Sequence, residues 1–290
     1  MTLLHQFPID FLRICVWLLL LSAIFIPLER LWAVRPQRVF RRAVWTDLGY
    51  YFLNSLLLSV LLILPVAAVG WVLHAVVPTP LLALTAGLPV AVRLALALVV
   101  GEFGYYWAHR AMHTVPWLWR VHAVHHSAEH VDWLVNTRAH PLDLVFSRLA
   151  AFIPMYVFGL AQPIQNVADS VSIGVVLVGT VWGFFIHANL RWRFGPLEWL
   201  VATPAFHHWH HTNDAHANRN FSTMLPWMDR IFGTYYMPRH AWPPAYGIDD
   251  ILPESLGDQL LYPLLPPRRQ GEGAPPPRPP LRAEPLEPLT

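Results

Sequence analysis

"LGYYFLNSLLLSVLLILPVAAVGWVL", residues 48–73, runs for 26 residues without a charged side chain. At about 1.5 Å per residue, a helix of that length outreaches the ~30 Å hydrocarbon core of a bilayer. The whole chain leans the same way. Of 290 residues, 55% are hydrophobic and only 13% charged, roughly half the charge of an ordinary soluble domain. The stretch is read as a transmembrane helix and the chain as a membrane protein.

Upstream, Ile14–Leu28 is apolar and is followed by Glu29–Arg30 without a small-residue cleavage pattern. It is read as a first membrane helix rather than a signal peptide. Downstream, the chain stays uncharged to Pro89, with Pro78, Pro80 and Pro89 breaking it into a short outer piece. Val90–Trp107 is the next span and carries Arg93 and Glu102. Leu149–Ala168 and Ser170–Leu190 read as a helical hairpin turning near Gln162–Asp169. The expected fold is an all-α integral membrane bundle of four to five transmembrane helices.

Charge sets its orientation. Arg30, Arg35, Arg38, Arg41 and Arg42 lie between the first two spans. The connection after the second span has no cation until Arg93, and Gln162–Asp169 has none. The positive-inside rule makes the 30–45 loop cytoplasmic. Counting crossings from there puts Trp107–Leu142 and everything after Arg191 on the same side. Residues 1–262 are expected to form one membrane-embedded domain. Residues 263–290, with ten prolines in 28 positions, read as a disordered tail. A single cysteine, Cys15, rules out a disulfide framework. A net charge of +2 gives no case for nucleic acid.

Sixteen histidines then need a cause. Eleven fall in two windows, His109–His130 and His207–His216. "HRAMH" sets His109 and His113 at i and i+4. "HAVHH" sets His122, His125 and His126 at i, i+3 and i+4, and "HHWHH" repeats that spacing as His207, His210 and His211. His187 stands at the end of the last long span. On a helix these spacings share one face. Thr114 and Pro116 precede the first triplet and Thr203 and Pro204 the second, as helix starts do. Each triplet is therefore expected to project into a single site. Lone histidines such as His5, His74 and His240 are read as ordinary surface or core residues.

Neutral imidazole ligates iron, zinc, copper and nickel. Nine histidines are too many for one ion and suit two. No Glu-x-x-His pair and no HExxH occurs, so the ligand set is all nitrogen. Asp132, Asp143, Asp214 and Asp229 lie near enough in sequence to hold ligand N–H groups.

The strings "HRAMH", "HAVHH", "RAHPLD" and "HHWHH", with "NFSTMLPWMDRIFGTYYMP", resemble the fatty acid hydroxylase/sterol desaturase superfamily. The likeness runs from about Gly101 to Pro238. It implies a membrane bundle with a cytosolic, helical, histidine-rich cap and a non-haem di-iron centre that activates O2 against an unactivated C–H bond. Carried over by motif, the ligands are His109, His113, His122, His125, His126, His187, His207, His210 and His211. Arg191 stands where the family often pairs a second histidine with His187. His140 matches the family's His-Pro histidine, as a ligand or as a group behind one. His208, Asp143 and Asp229 are expected behind the ligands.

The resemblance implies hydroxylation or desaturation of a lipid-like substrate, such as a sterol or fatty acyl chain, drawn from the bilayer. Trp107, Trp117, Trp119 and Trp133 would guide its entry or form an interfacial belt. With no haem, flavin or iron–sulfur motif, electrons come from a separate carrier: a cytochrome b5-like protein, a ferredoxin or a reductase. Zinc is able to substitute for iron. Competing readings are a zinc-dependent membrane hydrolase and a metal transporter or haem electron carrier. The last two fit poorly, because transport favours ionisable groups near the bilayer midplane and axial haem ligation needs no triplets.

Overall fold

The computed structural model describes residues 3–161, 170–250 and 252–265. Among them there is no strand, and ten helices follow in order. Four are long and apolar enough to cross a membrane: α1 (Leu3–Trp32, with Phe7–Trp32 as the span), α2 (Val44–Val76), α4 (Val90–Thr114) and α7 (Ser170–His187). The chain is a multi-pass membrane protein. The short α3 (Thr79–Ala86) lies between α2 and α4, and α5 (Pro116–His126) follows α4 after a single residue.

Expectation and structure differ most at α6. A span over 149–168 is expected, but the helix runs Pro141–Val157. His140 caps its start, its Nδ1 accepting from the Leu142 N–H, and Pro141 takes the first position, where no N–H is needed. Its end is set by Gly159, whose φ of +65° a residue with a Cβ rarely adopts. The Gly159 carbonyl accepts from Thr85 Oγ1 (3.1 Å), and that of Leu160 from Arg93 Nη2 (3.1 Å). Thus α6 runs antiparallel to α4, from the histidine end to the far end. The expected turn at 162–169 lies outside the described residues, as do 266–290 of the expected tail.

α4 and α6 touch backbone to backbone. A Cβ on Gly104 would lie 2.0 Å from the Ala150 carbonyl oxygen. Small residues permit such contacts where lipid supplies no hydrophobic drive between helices. On α2 the buried residues Asp47, Tyr50, Tyr51 and Asn54 follow i, i+3, i+4, i+7 spacing, whereas Ile63, Leu64 and Trp71 point outward. Its first turns therefore belong to the packed end of the protein and the rest faces lipid.

A buried charge lattice ties that end together. Arg41 pairs with Asp132 (2.6 and 2.8 Å) and with Asp47 (2.6 Å), and Arg138 pairs with Asp47 (2.5 Å). Asp132 also caps the 3-10 turn Trp133–Thr137 by accepting from Leu134 and Val135. The 30–45 segment, α2 and the chain leading into α6 are thereby fixed to one another. Tyr262–Leu264 forms a last 3-10 turn, held by Arg120 Nη2 at the Tyr262 carbonyl (2.7 Å).

Candidate metal centre

The nine histidines singled out by spacing meet in two adjoining groups at one end of the bundle. His109, His113, His122, His126 and His210 form one; His125, His187, His207 and His211 form the other. Within each group one nitrogen per residue lies within 4.8 Å of all the rest.

The triplets do not each serve one site. α5 sends His122 and His126 to the five-histidine group and His125 to the four. α8 (Pro204–His210) does the reverse, with His210 in the five while His207 and His211 enter the four. The cause is helical geometry. Positions i and i+4 differ by about 40°, whereas i+3 leans about 60° to the other side of i. A triplet thus spans two neighbouring sites. Thr203 caps α8 as expected, through Phe206 N–H. Thr114 does not cap α5: it ends α4 and donates to the Arg110 carbonyl, leaving Pro116 as the only start signal there.

Outer hydrogen bonds fix which nitrogen faces inward. Nδ1–H of His109 donates to the Phe221 carbonyl (2.6 Å), of His125 to Arg138 (2.9 Å), of His187 to Gly183 (2.7 Å) and of His210 to Arg219 (2.9 Å). His122 donates to Asp143 Oδ2 (2.6 Å) and His113 to Asn218 Oδ1 (3.0 Å). These partners only accept, so Nδ1 carries the proton and each Nε2 offers a lone pair.

In the four-histidine group these nitrogens crowd together. His187 Nε2 lies 2.9 Å from His207 Nε2 and 3.2 Å from His125 and His211 Nε2. In the other group Nε2 of His113, His126 and His210 is buried without a hydrogen-bond partner. Converging lone pairs repel unless a cation lies between them. Separations near 3 Å are those of neighbouring nitrogens on one ion at about 2.0–2.1 Å. Burial holds the imidazoles of His122, His126, His207, His210 and His211 well below their usual range, and neighbouring imidazoles add to the effect. Burial lowers His125 as well. The residues fit metal ions in both groups.

Of the four candidate carboxylates only Asp143 touches a cage histidine, with Ser147 Oγ donating to its other oxygen (3.2 Å). Asp229 acts one step back. It accepts from the N–H groups of Phe221 (2.7 Å) and Ser222 (2.9 Å), fixing the strip whose Phe221 carbonyl holds His109. Asp132 belongs to the arginine lattice, and Asp214 pairs with His216. His140 is not in either group. As a helix cap its Nδ1 accepts and its Nε2–H donates to the Leu260 carbonyl (3.1 Å), the reverse of the cage tautomer. His208 is buried behind the cage between Tyr246 Oη (2.7 Å) and the Ala188 carbonyl (3.1 Å), and burial lowers its pKa to about 4.

Sequence reasoning passed over Asn218 and Glu102. Asn218 holds His113 from a left-handed backbone (φ +66°) that Asn tolerates. Glu102 receives the N–H groups of Thr223 (2.6 Å) and Met224 (2.7 Å), anchoring the "NFSTM" strip to α4. A lone carboxylate inside an apolar span was its one signal.

An apolar cavity of about 220 Å³ lies between α4, α6 and α7, lined by Ala97, Leu98, Ala151, Phe152, Met155 and Val175. At the cage it reaches His109 and His122 of one group and His125, His187 and His207 of the other. A second, polar recess of about 320 Å³ opens onto His113, His126 and His210, beside Asn218, Asp249 and Asp250. None of the four tryptophans lines the apolar cavity. Trp107 and Trp117 are exposed, Trp133 is in the core against Phe25 and Phe184, and Trp119 packs on His113 and His126.

Residues 94–234 match the family model described as fatty acid hydroxylase. Among curated proteins, the chain is 34% identical over 177 residues to an ornithine lipid hydroxylase of Rhizobium tropici, covering 60% of this chain and 51% of that one. It is 31% identical over 140 residues to an alkylglycerol monooxygenase of Homo sapiens (46% and 28%) and 32% identical over 142 residues to a very-long-chain aldehyde decarbonylase of Oryza sativa (46% and 21%). It therefore spans about half the length of the first relative and less than a third of the others. No solved structure matches the chain. All nine converging histidines at the end of the bundle lie within the segment, residues 94–234, that is similar to the fatty acid hydroxylase family.

Proposed function

We propose that the chain is a membrane-bound, O2-dependent hydroxylase of lipid-like molecules whose two histidine groups hold iron at the cytoplasmic face. One observation carries the reading: nine imidazoles, six of them with Nδ1–H bonded outward, converge to close one end of an apolar cavity that touches both groups. Iron held there would supply O2 activation against an unactivated C–H bond. Two relatives bear the names of a lipid hydroxylase and a lipid monooxygenase, which supports the substrate class. The orientation rests on the arginines of the 30–45 segment, at the histidine end of the bundle.

The chain's own residues position, shield and tune. Asp143 takes the His122 Nδ1 proton bond and so raises the basicity of the inward nitrogen. The carbonyls of Phe221, Arg138, Gly183 and Arg219 do the same with less charge. The walls built by α4, α6 and α7 keep water from an apolar chain seated against the cage. The polar recess beside His113, His126 and His210 offers the opposite, wet approach, and electrons arrive from a separate carrier protein.

The test is metal analysis of anaerobically purified protein, then incubation with reductant, 18O2 and membrane lipid extract. The expected result is iron in the protein and a lipid product that gains one labelled oxygen atom. Two zinc ions and no oxygen-dependent product, even after iron reconstitution, would overturn the reading.

A further inference from the structure

Three acidic or basic side chains other than histidine line the apolar cavity: Glu102, Asp143 and Arg148. Two are spoken for. Glu102 is saturated by the backbone N–H groups of 223–225, and Asp143 by His122 and Ser147. Arg148 has no hydrogen bond or ion pair with any described residue. It sits on α6, five residues beyond Asp143, hence about 7.5 Å further along the helix axis from the cage. Beside it in the cavity wall stands Tyr105, one turn before His109 on α4, its ring edge-on to the His109 imidazole at 5.3 Å. Its hydroxyl also has no partner among the described residues.

An unpaired charge within an apolar, membrane-embedded space is costly, and such residues mark functional sites. A guanidinium presents a fork of donors matched to carboxylate and phosphate oxygens. We propose that Arg148, assisted by Tyr105, is an oxyanion anchor that seats the acidic group of the substrate inside the cavity. It selects lipids bearing a carboxylate or phosphate over neutral ones of the same chain length. Because the anchor lies about a helical turn from the cage, the carbon presented to the histidines is a few bonds from the acidic group. That last statement rests on the hydroxylase reading; the binding preference does not.

The experiment measures equilibrium binding of radiolabelled palmitate, dioleoyl phosphatidic acid and hexadecan-1-ol to the full chain in detergent, both metal-loaded and chelator-treated. An acidic probe should bind about tenfold or more tightly than hexadecan-1-ol, in the metal-free protein as well, so that direct binding to the ions is not the cause. Preference for palmitate alone identifies a carboxylate, for phosphatidic acid alone a phosphate, and for both a general oxyanion site. Arg148→Gln should abolish the preference while hexadecan-1-ol binding and metal content stay as in the parent. Arg148→Lys, which keeps the charge but not the fork, should retain only part of it and serves as the test if the Gln variant does not fold. Equal binding of acidic and neutral probes, or a preference that survives in both variants, overturns the anchor. Acid preference without any oxygen-dependent product would sink the hydroxylase reading and leave the anchor standing; product without acid preference would do the opposite.

Discussion

At the residue scale the centre is a matter of tautomers. An imidazole whose Nδ1–H is committed to a carbonyl or carboxylate has only Nε2 left, and here Nε2 points inward. His140 and His208 carry the proton on the other nitrogen and stand outside the cage, His208 behind the ligands as its place in the sequence suggested. Among the described residues Asp143 is the one carboxylate hydrogen-bonded to a cage imidazole, so its loss should be felt unequally. Asp143→Asn is expected to weaken metal binding in the five-histidine group by about 10–100-fold. Competition with a chromophoric chelator would show it as one weakened site beside one unchanged; two equally weakened sites would contradict the assignment. What the sequence could not convey at this scale was the choice among carboxylates. Asp132, Asp143, Asp214 and Asp229 all lie close to ligands in the chain, but which one reaches a ring nitrogen depends on where α6 begins.

At the scale of elements, the HxxHH spacing made helices legible and their shared face plausible. It did not reveal that each triplet straddles two sites, because that depends on where the opposing helix sits. The long spans were legible from composition, whereas α6 was misplaced. Its boundaries come from the His140–Pro141 start and the positive φ of Gly159, both weaker signals than an apolar run. α6 matters because it delivers Asp143 to the cage, and its depth is set by contact with α4 at Gly104. Gly104→Ala should therefore destabilise the protein by about 1–3 kcal/mol through overpacking against the Ala150 backbone. Gly101→Ala meets the flexible thioether of Met155 at 3.2 Å and the Ala151 carbonyl at an ordinary 3.6 Å, and should cost less. Thermal unfolding in detergent ranks the two, and the reverse order would refute the close helix contact.

For the whole molecule, the bundle places apolar surface in lipid and gathers its buried polar groups at one end. Nothing in a single span announces that end; it emerges from Arg41, Asp47, Asp132 and Arg138 meeting across 91 residues of chain. Orientation is testable with the lone cysteine removed (Cys15→Ser). A cysteine at Thr79 should react with a membrane-impermeant maleimide in intact cells, and one at Arg38 only after permeabilisation; the opposite pattern would invert the topology. Acid sensitivity follows from the buried neutral imidazoles. His122, His125, His126, His207, His210 and His211 have lower pKa values folded than unfolded, where they titrate near 6.5. The unfolded chain therefore binds more protons in that range, and stability is lost as pH falls below about 6.5. Metal-free protein should melt at a lower temperature at pH 5.5 than at pH 7.5, and an unchanged or higher value would contradict their neutral burial.

The claim on which everything else rests is that nine histidines form two separable metal sites. Metal content of anaerobically purified protein, with His210→Ala and His207→Ala measured in parallel, tests it most directly. Two ions per chain are predicted for the parent, falling towards one in each variant, because His210 belongs to the five-histidine group and His207 to the four. A single ion in the parent, or two ions retained in both variants, would contradict it.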